Sequence, residues 1–200
     1  MEMAEIERNN TERRIDGMKL EKMRLFEERM KEYGKAVDEA IHTSDKPILV
    51  DGDIQGQLEC LRQNYIFNQK GLCFFIGYEH LHEGLYGNFV NGKEIPPTWY
   101  TQFCLLCLNK TDEVCVMIFD GLDKISITED VREFFDEVLF NKSNKFPLPA
   151  NGKIVFIPRT KFLTPELNSI LNEYRSKFTT VRCYLEEGVS VDYGEKEQEK

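Results

Sequence analysis

The sequence predicts an α/β domain built on a mostly parallel five-stranded sheet and preceded by a long N-terminal helix. Three observations carry that expectation. Short apolar runs alternate with stretches of helical spacing, the pattern of strand–helix–strand units. The runs are continuously apolar, as in Val116-Met117-Ile118-Phe119, rather than alternating, so each strand is covered on both faces. The first 42 residues repeat apolar side chains every three or four positions among Glu, Lys and Arg, the signature of one helical face.

Each element follows in order. Ile15, Met18, Met23, Phe26, Met30, Tyr33, Val37 and Ile41 form the stripe of the first helix, with Glu21–Arg24 and Glu28–Lys31 as neighbouring charges. This arm, residues 1–42, is expected to pack on its own domain or to pair with a partner. Thr43 to Pro47 ends it, because proline removes a donor and forces its predecessor to extended geometry. Ile48-Leu49-Val50 is the first strand; a turn over residues 51–56 and a helix over 57–68 follow. Gly71–Tyr78 is a second strand, Thr98–Leu108 a helix and Val114–Phe119 a third strand. Thr128-x-x-Val131 opens a helix that turns Phe134, Phe135, Val138 and Leu139 inward. Ile154–Ile157 is the fourth strand. Thr164-Pro165-Glu166 is an N-cap followed by proline at the first helical position. Thr179–Leu185 is the fifth strand, the α/β unit spans 43–190, and 191–200 is a disordered polar tail.

Composition excludes several function classes. Of 200 residues, 41% are hydrophobic and 30% charged, enough for a core and too apolar for wholesale disorder. No apolar run reaches the ~18–20 residues of a membrane-spanning helix. The polar start MEMAEIERNNTERR has no apolar signal region, which predicts a cytoplasmic chain. A net charge of −9 leaves no footprint for general nucleic-acid binding. The six cysteines then belong to a reducing compartment, and Cys104-Leu105-Leu106-Cys107 reads as core packing, since no second pair at metal spacing follows. Glu79-His80-Leu81-His82-Glu83 is the best metal-like cluster, but two histidines without a third spaced ligand favour a polar loop, and no metal is expected.

The first strand runs into Asp51-Gly52-Asp53-Ile54-Gln55-Gly56-Gln57-Leu58 and then a helix, the arrangement of a phosphate-binding loop. Against G-x-x-x-x-G-K-[ST], Gly56 fits the second glycine, while Asp51, Gln57 and Leu58 replace the first glycine, the lysine and the magnesium-binding hydroxyl. Val116-Met117-Ile118-Phe119-Asp120 is four apolar residues and an acid, the Walker B pattern; Gly121 stands where a catalytic glutamate is normal.

With KPILVDGDIQGQ, FFIGYEHLHEGLYG, PPTWY, IFDGLDKI, FFDEVLFNKSNKFPLPANGKIVFIPR and LNSILNEYRSKF, the run from Lys46 to Tyr184 resembles the ATPase core of the AAA+ superfamily, closest to its MoxR/McrB-like branch. The resemblance implies a three-layer P-loop-NTPase-like domain. It also implies remnant nucleotide positions at Asp51, Gly56, Gln57, Leu58, Asp120 and Gly121. The sensor 1 place, usually Asn, holds Pro158 or Arg159; Lys177, or Arg175 after a slip of two, stands in the arginine-finger region; and the helical lid has no counterpart. Without the loop lysine the β- and γ-phosphates lose their main cation, and without the glutamate no base positions water. Groups that act as a unit leave almost no activity when several are lost.

The resemblance therefore implies a pseudo-ATPase with no catalytic residues and no required cofactor, residual weak ATP or ADP affinity staying open. The implied role is a protein-binding scaffold, adaptor or regulator, with an active AAA+ ATPase or its own copies as partner and no nucleic acid or membrane. Arg159, Lys161, Arg175, Lys177 and Arg182 form either a solvated basic face or a subunit interface, with Arg159, Arg175 and Lys177 as its core. A head-to-tail contact of that edge with Asp51 and Asp53 of a neighbour would build rings or filaments. Two alternatives stand beside this: a divergent ATPase completed by a partner subunit, and a phage or mobile-element decoy that poisons a host ATPase or defence complex.

Overall fold

The computed structural model describes residues 2–52, 72–76, 89–90, 93–94, 98–110, 112–120, 122, 131–132, 135–140, 148–184 and 186–194. Helix α1 (Glu2–Thr43) leads into β1 (Ile48–Gly52). Then come β2 (Leu72–Ile76), the short antiparallel pair β3 (Phe89–Val90) and β4 (Lys93–Glu94), α2 (Thr98–Asn109) and β5 (Cys115–Asp120). A π-helical turn (Phe135–Leu139), β6 (Gly152–Ile157), a 3-10 turn (Thr160–Phe162), α3 (Pro165–Tyr174) and a second 3-10 turn (Arg175–Lys177) lead to β7 (Thr179–Tyr184) and β8 (Gly188–Asp192). The main sheet has the order β2-β5-β6-β1-β7-β8. The first five of these strands run parallel, and β8 is antiparallel to β7.

The continuous apolar strands β1, β5 and β6 are buried on both sides, as their composition predicts. On one face Ile48, Val50, Val116, Ile118, Val155, Ile157 and Val181 meet Tyr33, Val37, Ala40 and Ile41 of α1. On the other, Leu49, Met117, Phe119, Ile154 and Phe156 meet Phe103 and Cys107 of α2 and Leu167, Ile170, Leu171 and Tyr174 of α3. Phe135 lies at the centre of that second layer, edge-on to Phe140, Phe156, Tyr174 and Phe178. The interval around Thr128 is helical at Val131 and Arg132 and π-helical at 135–139, with Val131, Phe135 and Leu139 buried. Phe134 and Val138 lie outside the described side chains. Arg132 makes a bidentate pair with Glu173, and the Tyr174 hydroxyl donates to Asp136 Oδ1 at 2.8 Å, so this segment is tied to α3.

α3 begins as its sequence requires: the Thr164 side chain accepts the Leu167 amide at 3.2 Å and Pro165 takes the first helical position. Asn151 closes the turn between α2 and β5 by donating to the carbonyls of Cys107, Lys110 and Glu113. Burial pushes the Cys107 thiol up to about 12, with Cys115 beside it, so both act as small core hydrophobes. Lys153 donates to the Ser44 carbonyl at 2.5 Å, and desolvation draws its ammonium below the ordinary lysine range.

Two boundaries differ from the sequence expectation. Asp51 and Gly52, expected in a turn, belong to β1, because the ladder with β7 continues through Asp51↔Arg182 and Gly52↔Cys183. The α/β unit also gains β8, which runs to Asp192, past the expected start of the tail at 191. Its Val189-Ser190-Val191-Asp192 alternation half-buries the valines against the α1 layer. Gly188 turns into β8 with φ +96°, and a Cβ there would stand 3.3 Å from the Arg29 guanidinium of α1.

The closeness of Arg29 to Gly188 shows how α1 lies. Its C-terminal end feeds β1, so it runs back along the sheet and reaches the β7–β8 turn at Arg29. Residues 17–28 are exposed throughout, and the helix leaves the sheet at its carboxyl edge. Met18, Leu20, Met23, Leu25 and Phe26 are exposed large apolar side chains on this arm. The expected stripe thus packs in its own domain from Met30 onward and is solvent-exposed at Met18, Met23 and Phe26.

Candidate functional site

In open α/β sheets, ligands bind beyond the carboxyl ends of strands where the strand order reverses. Here β1 is followed in sequence by β2 at the far edge, and β2, β5 and β6 then step back toward β1. The neighbouring strands β5, β6 and β1 therefore end side by side, in Asp120, Ile157-Pro158-Arg159 and Asp51-Gly52. Asp120 pairs in register with Ile157. Arg159 turns the chain off the sheet with φ +50°, a left-handed conformation that costs a non-glycine residue about 1–3 kcal/mol. The turn it opens is held by the Phe162 amide donating to the Arg159 carbonyl at 2.8 Å, and it exposes Phe162.

Strand alternation decides where the Asp51 carboxylate goes. Ile48 and Val50 face α1, so Leu49 and Asp51 face α3. Asp51 is buried, its side chain 7% exposed, and Arg175 Nη1 donates to its Oδ2 at 3.1 Å. The Gly52 amide donates to Oδ1 at 3.0 Å. Arg182, opposite Asp51 in the ladder, lies 3.7 Å from Asp192 on β8. Tyr184, two residues further along β7, has its phenol pushed up by burial first and by the Asp51 charge second, with Arg182 and Arg175 opposing, so it stays protonated at neutral pH. The charged Asp51, Arg175, Arg182 and Asp192 and the neutral Tyr184 phenol thus form a polar cluster where the α3-side apolar layer stops.

The expected site residues fall into three groups. Gly56, Gln57, Leu58 and Gly121, like Asp53 and the segment Glu79–Glu83, lie outside the described residues, and Asp120 is described in its backbone alone. Asp51 and Arg175, expected on opposite sides of a contact between subunits, are joined within one chain. Arg159 is exposed at the carboxyl end of β6, while the Lys177 ammonium lies 5.2 Å from the ring centroids of Phe140 and Tyr174. The three basic residues therefore occupy different surroundings. Tyr184 and Asp192 were not expected; the period-two pattern of residues 189–192 was the signal that could have brought Asp192 to the sheet.

Among the described residues, no cluster of His, Cys, Asp and Glu is arranged to hold a metal ion, and no helix is long and apolar enough to cross a membrane. No protein-family model matches the chain, and no curated protein matches it significantly.

Proposed function

We propose that this chain is a catalytically inactive AAA+-like protein of three-layer P-loop-NTPase-like architecture. It acts as a protein-binding scaffold, adaptor or regulator whose partner is an active AAA+ ATPase or further copies of itself. The observation that carries the reading is Asp51: where the first glycine of a phosphate loop would stand, a buried carboxylate is bound to Arg175. A negative charge fixed there repels a triphosphate, and the guanidinium beside it is already engaged. The side-by-side ends of β1, β5 and β6 support the alignment of these strands with the loop, Walker B and sensor 1 positions of the family. The partner-binding half of the reading is supported by the arm, where Met18, Leu20, Met23, Leu25 and Phe26 are exposed on a helix whose later turns are packed. An isolated helical segment gains little in water, and such a surface fits a protein contact.

The test is steady-state phosphate release from ATP with magnesium by the purified full chain. The expected rate equals that of buffer. A turnover that scales with protein concentration and is lost in Asp120→Asn would overturn the reading in favour of a divergent ATPase.

A further inference from the structure

We infer that Arg175 and the Gly52 amide, beside Arg182 and Tyr184, form an anion site that the chain fills with its own Asp51 carboxylate, and that a phosphate group is the ligand the site takes once that carboxylate is removed. Two donors of different origin converge on one carboxylate: the guanidinium at 3.1 Å and a backbone N–H at 3.0 Å. A guanidinium and a backbone N–H recognise carboxylate and phosphate alike; here Arg175 Nη1 meets one Asp51 oxygen, while its Nε donates to Asn172 Oδ1 at 3.3 Å. The site is largely withdrawn from water, which strengthens each charged hydrogen bond. Arg182 stands opposite Asp51 in the parallel ladder, and Tyr184, two residues along β7, lies on the same sheet face. Asp192 and Glu187 are the carboxylates opposing them. A phosphate carries up to two charges and more acceptor oxygens than the aspartate it would replace, so it could also draw on Arg182, which is paired with Asp192. In the unaltered chain Asp51 competes from within the molecule, where effective concentrations reach about millimolar or more, and free anions are kept out.

The inference rests on the ion pair and not on the non-catalytic reading, so the two fail separately. Nucleotide turnover by the unaltered chain decides the reading, whereas the response of the Asp51 variants to phosphate decides the anion site.

Thermal unfolding of the full chain tests it, in inorganic phosphate against chloride at equal ionic strength. The variants are Asp51→Ala, Asp51→Asn and the double change Asp51→Ala with Arg175→Met. Millimolar phosphate is expected to raise the melting temperature of both single variants by several degrees, and to leave the unaltered chain and the double variant where chloride does. If Asp51→Ala is unfolded in chloride, its recovery by phosphate counts as the same result. Equal melting temperatures in the two salts for both single variants overturn the inference. So does a phosphate response in the double variant as large as in Asp51→Ala, or an unfolded Asp51→Ala that phosphate does not restore while Asp51→Asn shows no shift.

Discussion

At the scale of single residues, the chain places its charges by burial. Asp51 is tolerated inside β1 because Arg175 and the Gly52 amide compensate it, whereas the more exposed Arg182–Asp192 pair faces water. Removing one partner of a buried pair strands the other, so Arg175→Met is expected to cost about 3 kcal/mol in urea unfolding. Arg182→Met should cost no more than about 1 kcal/mol. The Glu173 carboxyl is held below its ordinary value of 4.5 by the hydrogen bonds from Arg132. A depressed folded value contributes stability above pH 4.5 that is lost as pH falls through the folded value. Arg132→Met should therefore make unfolding between neutral pH and pH 3 less acid-dependent, which a pH series of melting temperatures reads directly. Cys107, pushed up to about 12 in the core, should resist alkylation at pH 8 until the chain unfolds. Little of this was legible in the sequence. Asp51 looked like a loop residue because carboxylates are rare in central strands, and its partner stands 124 positions away.

At the scale of elements, strands and helices with strong periodicity were legible and their ends were not. The stripe of α1 could be read from Ile15 to Ile41, but where it leaves the sheet, as Arg29 comes near Gly188 at the β7–β8 turn, follows from strand length and not from local pattern. The consequence is a split response along one helix. Ile41→Ala, fully buried, should cost about 2–5 kcal/mol, whereas Met23→Gln, on the exposed arm, should stay within about 0.5 kcal/mol. Chemical unfolding of the two variants decides this. The π-helical turn at 135–139 was not legible, since a one-residue widening leaves the inward positions of Phe135 and Leu139 unchanged. β8 was legible in principle from residues 189–192 but is only half-apolar, and the long continuous runs drew the strand assignments.

At the scale of the whole molecule, class and architecture came from different sources. Alternation of apolar runs with helices was enough for an α/β domain with a mostly parallel sheet. The order β2-β5-β6-β1-β7-β8 was not accessible to local pattern, because pairing is decided by contacts between distant segments. That order brings the ends of β1, β5 and β6 together and gives the proposed function its geometry. The exposed arm leaves the sheet on the same edge, so a partner held by Met18 to Phe26 would lie beside those strand ends. Isothermal titration of ATP and of ADP, each with magnesium, into the full unaltered chain is the measurement that tests the non-catalytic reading most directly. The expected result is no saturable heat up to millimolar nucleotide. Micromolar, stoichiometric binding would mean that the Asp51–Leu58 segment accepts phosphates despite its residues, and would contradict the reading.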